Sequence, residues 1–344
     1  MGNSIYWRNF RGKVAREVAR YLPLTWSVEL RDVKGQPAAD GFLVLRAPDG
    51  AAATVALEFN TELTPRAADA AWQKIASLGE PSLLIAPYIS KRTQAYLREH
   101  GMFYLDFEGS AWWRLDAPAL TVSVVSDAEP PKAGAGRRRF RGVKAGRLMR
   151  YLCDHRPPVS VAELSLRLSI DRGNVSRYLD VLRDEAIVTR GARGAVVDVD
   201  WEALLRRWAD DYRRPLQERY LDPRGRDHFV STVCKKGAEY ALSGVLGASF
   251  YAPYSVDIAT FCYCDAPSAF ASSLGLREEK RAANVVLAIP FDPIVYSTAQ
   301  VRDGVLVAAP TQVAIDLLSG HGRELQQAEE VIRWMKEHER DWRA

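Results

Sequence analysis

The residues of this sequence best suited to chemistry are cations placed to meet a polyanion. Between Arg137 and Arg156 stand eight Lys or Arg, at positions 137, 138, 139, 141, 144, 147, 150 and 156, against one acid, Asp154. The stretch carries +7 in a chain of formal charge +4, so the remaining residues sum to −3. Each cation that neutralises a phosphate releases counterions, and a basic run of this kind suits a nucleic-acid backbone. Charge alone does not separate that reading from a solvated basic linker; the residues that follow do. Arg172, Asn174, Ser176 and Arg177 fall on the exposed side of a helical pattern. Arg can bridge O6 and N7 of guanine, Asn can bridge N6 and N7 of adenine, and Ser can reach a base or a phosphate. Further on, Arg190-Gly-Ala-Arg-Gly194 is a turn that holds Arg190 and Arg193 and no acid. The expected DNA contacts are therefore Arg137, Arg138, Arg139, Arg141, Lys144, Arg172, Asn174, Ser176, Arg177, Arg190 and Arg193.

The elements that must position these side chains are legible around them. The chain reads as a helix over 145–154, a break at Pro157-Pro158, a helix over 161–168, a short turn at 169–171 and a longer helix over 172–184. Leu148, Tyr151 and Leu152, then Val161, Leu164 and Leu168, then Val175, Leu179 and Leu182 keep the helical period and should pack together. Ser160 with Glu163 three residues on predicts a capping box, and Asp171 can cap the third helix. Two β-prone segments, 187–189 and 195–199, flank the basic turn. This is the order of a winged helix, in which the second helix of the pair enters the major groove and the wing reaches the backbone or minor groove. A winged helix used for protein contacts is the alternative; the basic run and the acid-free wing turn argue against it. The pattern Ser-x-x-Glu, Asp-Arg-Gly-Asn-Val-Ser-Arg-Tyr-Leu, Leu-x-x-Glu-Ala-Ile-Val and Gly-rich wing resembles the winged helix-turn-helix of bacterial transcription regulators over about seventy residues.

A chain of 344 residues predicts two or three domains. The clearest seam is the Pro-, Gly- and Ala-rich stretch near 127–136, and a second lies between Pro215 and Arg226. The expected division is 1–126, a linker over 127–136, a DNA-binding domain over 137–214 and a C-terminal domain over 215–344. With 47% hydrophobic and 26% charged residues the composition is that of a folded protein, and no apolar stretch approaches the ~20 residues of a membrane span. The first residues lack the apolar run of a secretory signal. Four cysteines are too few for a disulfide scaffold, and Cys262-Tyr-Cys264 lacks metal-site spacing. A cytoplasmic, nucleoid-associated protein without metal or cofactor is the expectation.

In the N-terminal module a helix over 6–22 precedes strands at 26–33, 41–46 and 54–59, a helix over 65–78, a strand at 82–87, a helix over 91–100 and strands at 102–106 and 111–115. This order resembles the restriction-endonuclease-like, PD-(D/E)xK fold. The resemblance implies a metal site built from Glu17, Asp40 and Glu58, with Asn60 standing where the family has its lysine. Asn cannot supply a positive charge beside a metal-bound water, so the resemblance implies a degenerate site. Lys74 on the following helix is the residue able to replace it. Asp106 and Glu108 read as turn residues before Gly109-Ser110.

The C-terminal module reads as a small-residue helix over 239–249, a strand at 255–264, a helix, strands at 284–290 and 305–308, and helices over 311–319 and 324–337. Ser243-Gly244 ahead of a strand with Asp257 resembles nucleotidyltransferases, with Ala259 in the place of their second metal carboxylate. Ala309-Pro-Thr-Gln-Val-Ala-Ile-Asp-Leu-Leu318 and the helix after it resemble the tail of AbiEi-type antitoxins of type IV toxin–antitoxin systems. The fold class expected is thus multidomain α/β, with a restriction-endonuclease-like domain, a central winged helix and a nucleotidyltransferase-like domain for partner binding or sensing. The resemblances imply a homodimeric, autoregulating repressor of its own promoter that binds double-stranded DNA and a cognate toxin. The rival expectation is a Mg²⁺-dependent nuclease aimed by the winged helix.

Overall fold

The computed structural model describes residues 3–31, 39–126, 140–235, 239–254 and 259–344, with side chains from residue 10 onward. Arg137, Arg138, Arg139, the linker 127–136 and Asp257 lie outside the described residues. The described chain divides into two compact units, one within residues 1–138 and 183–186, the other within 139–182 and 187–344.

The first unit runs α1 (Asn3–Ala19), β1 (Ser27–Arg31), β2 (Gly41–Arg46), β3 (Ala52–Phe59), α2 (Pro65–Ala76), β4 (Ser82–Ala86), α3 (Lys91–Glu99), β5 (Tyr104–Asp106), β6 (Ala111–Leu115) and β7 (Leu120–Val124). The strands form one sheet in sequence order, antiparallel at both ends and parallel from β3 through β4 to β5. Alternation along β3 and β4 sorts the two cores. Val55, Leu57, Phe59, Leu83 and Ile85 join Val14 and Val18 of α1 on one face. Ala56, Leu84 and Ala86 meet Ala68, Ala71 and Ile75 of α2 and Leu97 of α3 on the other. Strand β7 was not expected from sequence; its exposed alternation (one buried residue, Val122) offers little apolar signal, and pairing with β6 creates it.

The second unit opens with α4 (Val143–Asp154), α5 (Val161–Leu168), α6 (Arg172–Asp184), the hairpin β8 (Val188–Arg190) and β9 (Val196–Val199), and α7 (Trp201–Ala209). It continues through β10 (Gln217–Leu221), α8 (Arg226–Val233), β11 (Tyr240–Ser243), α9 (Gly244–Ser249), β12 (Thr260–Cys264), α10 (Pro267–Leu274), β13 (Arg277–Glu278) and β14 (Val285–Ala288). It ends with α11 (Ile294–Ser297), β15 (Gln300–Arg302), β16 (Val305–Val307), α12 (Pro310–Leu318), α13 (Arg323–Glu337) and α14 (Glu339–Trp342). A mixed sheet of order β13-β10-β14-β12-β11-β16-β15 forms its body. The segment 240–243, expected as helix, is the strand β11: its four residues carry no period of their own, and pairing with the distant β12 and β16 decides their state.

The winged-helix segment and this sheet share a single hydrophobic core. The link is α12, in which every residue from Pro310 to Leu317 is buried, so its polar side chains must find partners inside. Arg150 of α4, fully buried, donates from Nε to Asp154 at 2.6 Å, from Nη1 to Gln312 at 2.8 Å and from Nη2 to Thr298 at 2.8 Å. Thr311 donates to the other oxygen of Asp154 at 2.6 Å. One turn on, Asp316 accepts from Ser243 at 2.6 Å, Tyr263 at 2.8 Å, Tyr212 at 2.9 Å and Gln312 at 3.0 Å. On the same side of α4, an added Cβ at Gly146 would stand 2.8 Å from Cε2 of Phe291, so only glycine allows this approach.

Burial pushes the Asp316 carboxyl above its ordinary range, against the hydroxyl donors that hold it down. A folded-state pKa raised above the unfolded one contributes stability at low pH that is lost as pH rises through the folded value. Denaturation of the wild type from pH 4 upward is therefore expected to show a decline that Asp316→Asn lacks. Equal pH slopes in the two proteins would rule the assignment out.

Candidate nucleic-acid interface

Three helices and a hairpin build the candidate interface. Ser160 caps α5, its Oγ accepting from the Glu163 amide at 3.1 Å. The capping box is only half formed, because the Glu163 carboxylate turns to Arg167 at 2.9 Å instead of back to the cap. Ser169 closes α5 in the left-handed region, and Asp171 starts α6 by accepting from the Asn174 amide at 2.8 Å. Leu148, Leu152, Leu164, Leu168, Val175, Leu179 and Leu182 all lie in the core as expected, with Tyr151 and Val161 at its margin.

The exposed side of α6 carries the expected readers. Arg172 and Arg177 are exposed, and Asn174 and Ser176 half-buried. Arg172 has no hydrogen-bond or ionic partner among the described residues. Asn174, by contrast, donates its carboxamide N–H to Asp171, and Arg177 donates from Nη2 to the Asn174 carboxamide oxygen. Hydrogen bonding from the Asn174 amide holds the Asp171 carboxyl below its ordinary range, with the Lys144 charge contributing. Lys144 is exposed, as is Arg141.

The basic run divides in the fold. Its end is pinned where Phe140, buried beneath the Arg207 guanidinium at 4.7 Å, donates its amide to Asp211 at 3.0 Å. Beyond it the five described cations of the run do not act as one patch. Arg150 is fully buried, Arg147 is bound to Asp292 at 2.7 Å, and Arg156 lies 3.8 Å from Glu339. A count of charge along sequence cannot distinguish these acid-paired cations from Arg141 and Lys144.

The wing separates its two arginines in the same way. Arg190, with 12% of its side chain exposed, donates to Asp180 of α6 at 2.6 Å and to the Gly194 carbonyl at 3.0 Å. It staples the wing to the recognition helix instead of projecting from it. Gly194 has φ +75°, and a Cβ there would meet Arg190 Nη2 at 2.7 Å. Arg193 is exposed in the turn, with no acidic partner among the described residues.

The three acids singled out in the first unit do not gather into one site. Glu58, 8% exposed in its side chain, receives both its hydrogen bonds from the Lys74 ammonium, at 2.7 and 2.8 Å. Burial pushes its pKa up, Lys74 pulls it down and Asp40 pushes it up again. Asp40 precedes β2 and accepts from the Phe59 amide at 2.9 Å. Glu58 shares the α2 face of the sheet, whereas α1, carrying Glu17, packs on the opposite face, where Glu17 pairs with Arg20 at 2.8 Å. The Asn60 Nδ2 is buried without an acceptor among the described residues. No group of three acids, histidines or cysteines able to hold a metal occurs among the described residues. Asp106 is not a solvated turn residue: it is fully buried and accepts from the amides of Ser110, Glu108 and Ile89 at 2.8, 3.0 and 3.3 Å. Sequence offered no cue to this, because the donors come from two separate loops. In the second unit the Ser243 hydroxyl is buried and given to Asp316, so it is not presented to a phosphate.

Residues 143–191 match the model of the IclR helix-turn-helix domain. No curated protein and no solved structure matches the chain significantly. The domain match and the exposed cations of α6 support a DNA-binding transcriptional regulator. No helix among the described residues is long and apolar enough to cross a membrane.

Proposed function

We propose that the protein is a homodimeric, autoregulating repressor similar to AbiEi-type antitoxins, which reads its own promoter through α6. The observation that carries this reading is the pair of exposed arginines, Arg172 and Arg177, on the recognition helix of a module matching a DNA-binding family. Arg137, Arg138, Arg139, Arg141 and Lys144 meet phosphates, and Arg193 reaches the backbone from the wing. Arg190 acts by holding the wing against α6. In a dimer the two recognition helices meet half-sites about one helical turn, ~34 Å, apart. The cell compartment is the cytoplasm, at the nucleoid, and a cognate toxin is the protein partner.

The test is footprinting on the protein's own promoter together with binding across a salt series. Replacing Arg137, Arg138, Arg139 and Arg141 by Gln is expected to weaken binding to all sequences alike and to flatten log affinity against log salt by roughly 0.9 for every phosphate no longer neutralised. An unchanged slope would make the run a bystander. A second expectation concerns the first unit, which we take to be non-hydrolytic. Lys74 supplies the cation that Asn60 lacks, but it occupies both oxygens of Glu58, and α1 leaves Glu17 across the sheet. Supercoiled and promoter DNA are expected to survive incubation with Mg²⁺ or Mn²⁺. Metal-dependent cleavage that disappears in both Asp40→Ala and Glu58→Ala would replace this reading with the nuclease.

A further inference from the structure

We infer that Arg177 is the guanine-reading residue of the recognition helix, and that Asn174 is a positioning residue which holds Arg177 in its reading geometry and contacts no base itself. This rests on the proposed reading of α6 as the DNA-reading helix.

The stereochemistry of two side chains carries the inference. A guanidinium has two edges that can grip a pair of acceptors: a side edge made by Nε–H with one Nη2–H, and an end edge made by Nη1–H with the other Nη2–H. In Arg177 the side edge is already used within the helix. Its Nε donates to the Gly173 carbonyl at 3.2 Å, and its Nη2 donates to the Asn174 carboxamide oxygen. The end edge remains, on an exposed side chain, with two parallel N–H groups. That is the donor pair that O6 and N7 of guanine accept in the major groove.

Asn174 takes the positioning role because it is half-buried and both polar atoms of its carboxamide already have partners in the helix. Bridging adenine needs the carboxamide oxygen and nitrogen together, one to accept from N6 and the other to donate to N7. Here the oxygen takes Arg177 and the nitrogen gives to Asp171, whose other oxygen caps the Asn174 amide; the N–H and the lone pair left over can reach an adenine only if the carboxamide gives up the orientation that holds Arg177. Asp171, Asn174 and Arg177 thus form a chain with its base in the helix cap and its free end a fork. A long side chain held before binding loses less rotamer freedom on binding. Arg172 has no such support.

The experiment is selection of bound sites from a random duplex pool by wild type, Asn174→Ala and Arg177→Ala, with NMR of the free proteins. The wild type is expected to enrich a motif with a guanine preferred roughly 5- to 150-fold at one position. Arg177→Ala abolishes that preference, and Asn174→Ala weakens it at the same position while leaving every A·T position unchanged. In the free wild type the Arg177 Nε–H resonance is resolved and slow to exchange, and in Asn174→Ala it is lost to solvent exchange. Loss of an adenine preference in Asn174→Ala, with guanine retained, would overturn the inference, as would an Arg177 signal indifferent to Asn174. A wild type that enriches no motif would overturn the reading of α6 itself, whereas a motif unaffected by Arg177→Ala would sink this inference alone.

Discussion

Replacing Arg172 and Arg177 by alanine is expected to remove about 1–3 kcal/mol of binding for each base that is no longer gripped, roughly 5- to 150-fold apiece, on the native promoter. The loss falls on the specific complex, and binding to unrelated DNA changes little, because non-specific affinity comes from phosphate contacts. Both side chains are exposed on α6 while Val175, Leu179 and Leu182 anchor its other face, so truncation leaves the helix packed. Titration of each variant against promoter and scrambled duplexes measures the two effects separately. A double variant with wild-type affinity and selectivity would remove α6 from the interface.

The second large effect is on stability. Arg150→Met is expected to cost about 3–5 kcal/mol, the usual consequence of removing one partner from a buried, hydrogen-bonded ion pair. Arg150 is fully buried and satisfies Asp154, Gln312 and Thr298 together. Without it, Asp154 retains, among the described residues, only Thr311 as a side-chain donor. Since α4 and α12 belong to one core, the winged helix and the sheet behind it should unfold in a single transition that moves as a whole in the variant. Arg147→Met is the comparison: its partner Asp292 is buried, but Arg147 itself is one-third exposed, and a smaller loss is expected. Denaturant titration followed by tryptophan fluorescence and far-UV dichroism decides the matter. A cost under ~1 kcal/mol for Arg150→Met, or a winged helix that melts apart from the sheet, would contradict this account.

The helices of the winged segment were legible because their signals are local. Leu164, Leu168, Val175, Leu179 and Leu182 repeat at the helical period, and Ser160 and Asp171 cap the helices they precede in sequence. In the first unit the buried strands β2, β4 and β6 read from apolar runs for the same reason. Strand β11 did not, because its neighbours β12 and β16 are remote in sequence. Nor did β10 and α8, whose mixed polar residues bury only Tyr220, and Phe229 with Val233.

What the sequence determined by itself is the kind of surface: a helix-turn-helix with Arg172, Asn174, Ser176 and Arg177 on its third helix, and a basic approach to it. The tertiary structure decided which of those charges face outward. Arg150 and Arg190 are read from sequence as members of a basic run and a basic wing, yet one is spent inside the core and the other on Asp180. The physical reason is that a guanidinium's role depends on the acceptors around it, and Gln312, Thr298 and Asp180 reach their arginines only once the chain has folded. The same holds for Glu58, which the sequence sets two residues before Asn60 but which the fold pairs with Lys74. Local periodicity sets where helices run; the pairing of buried polar groups is a property of the folded chain.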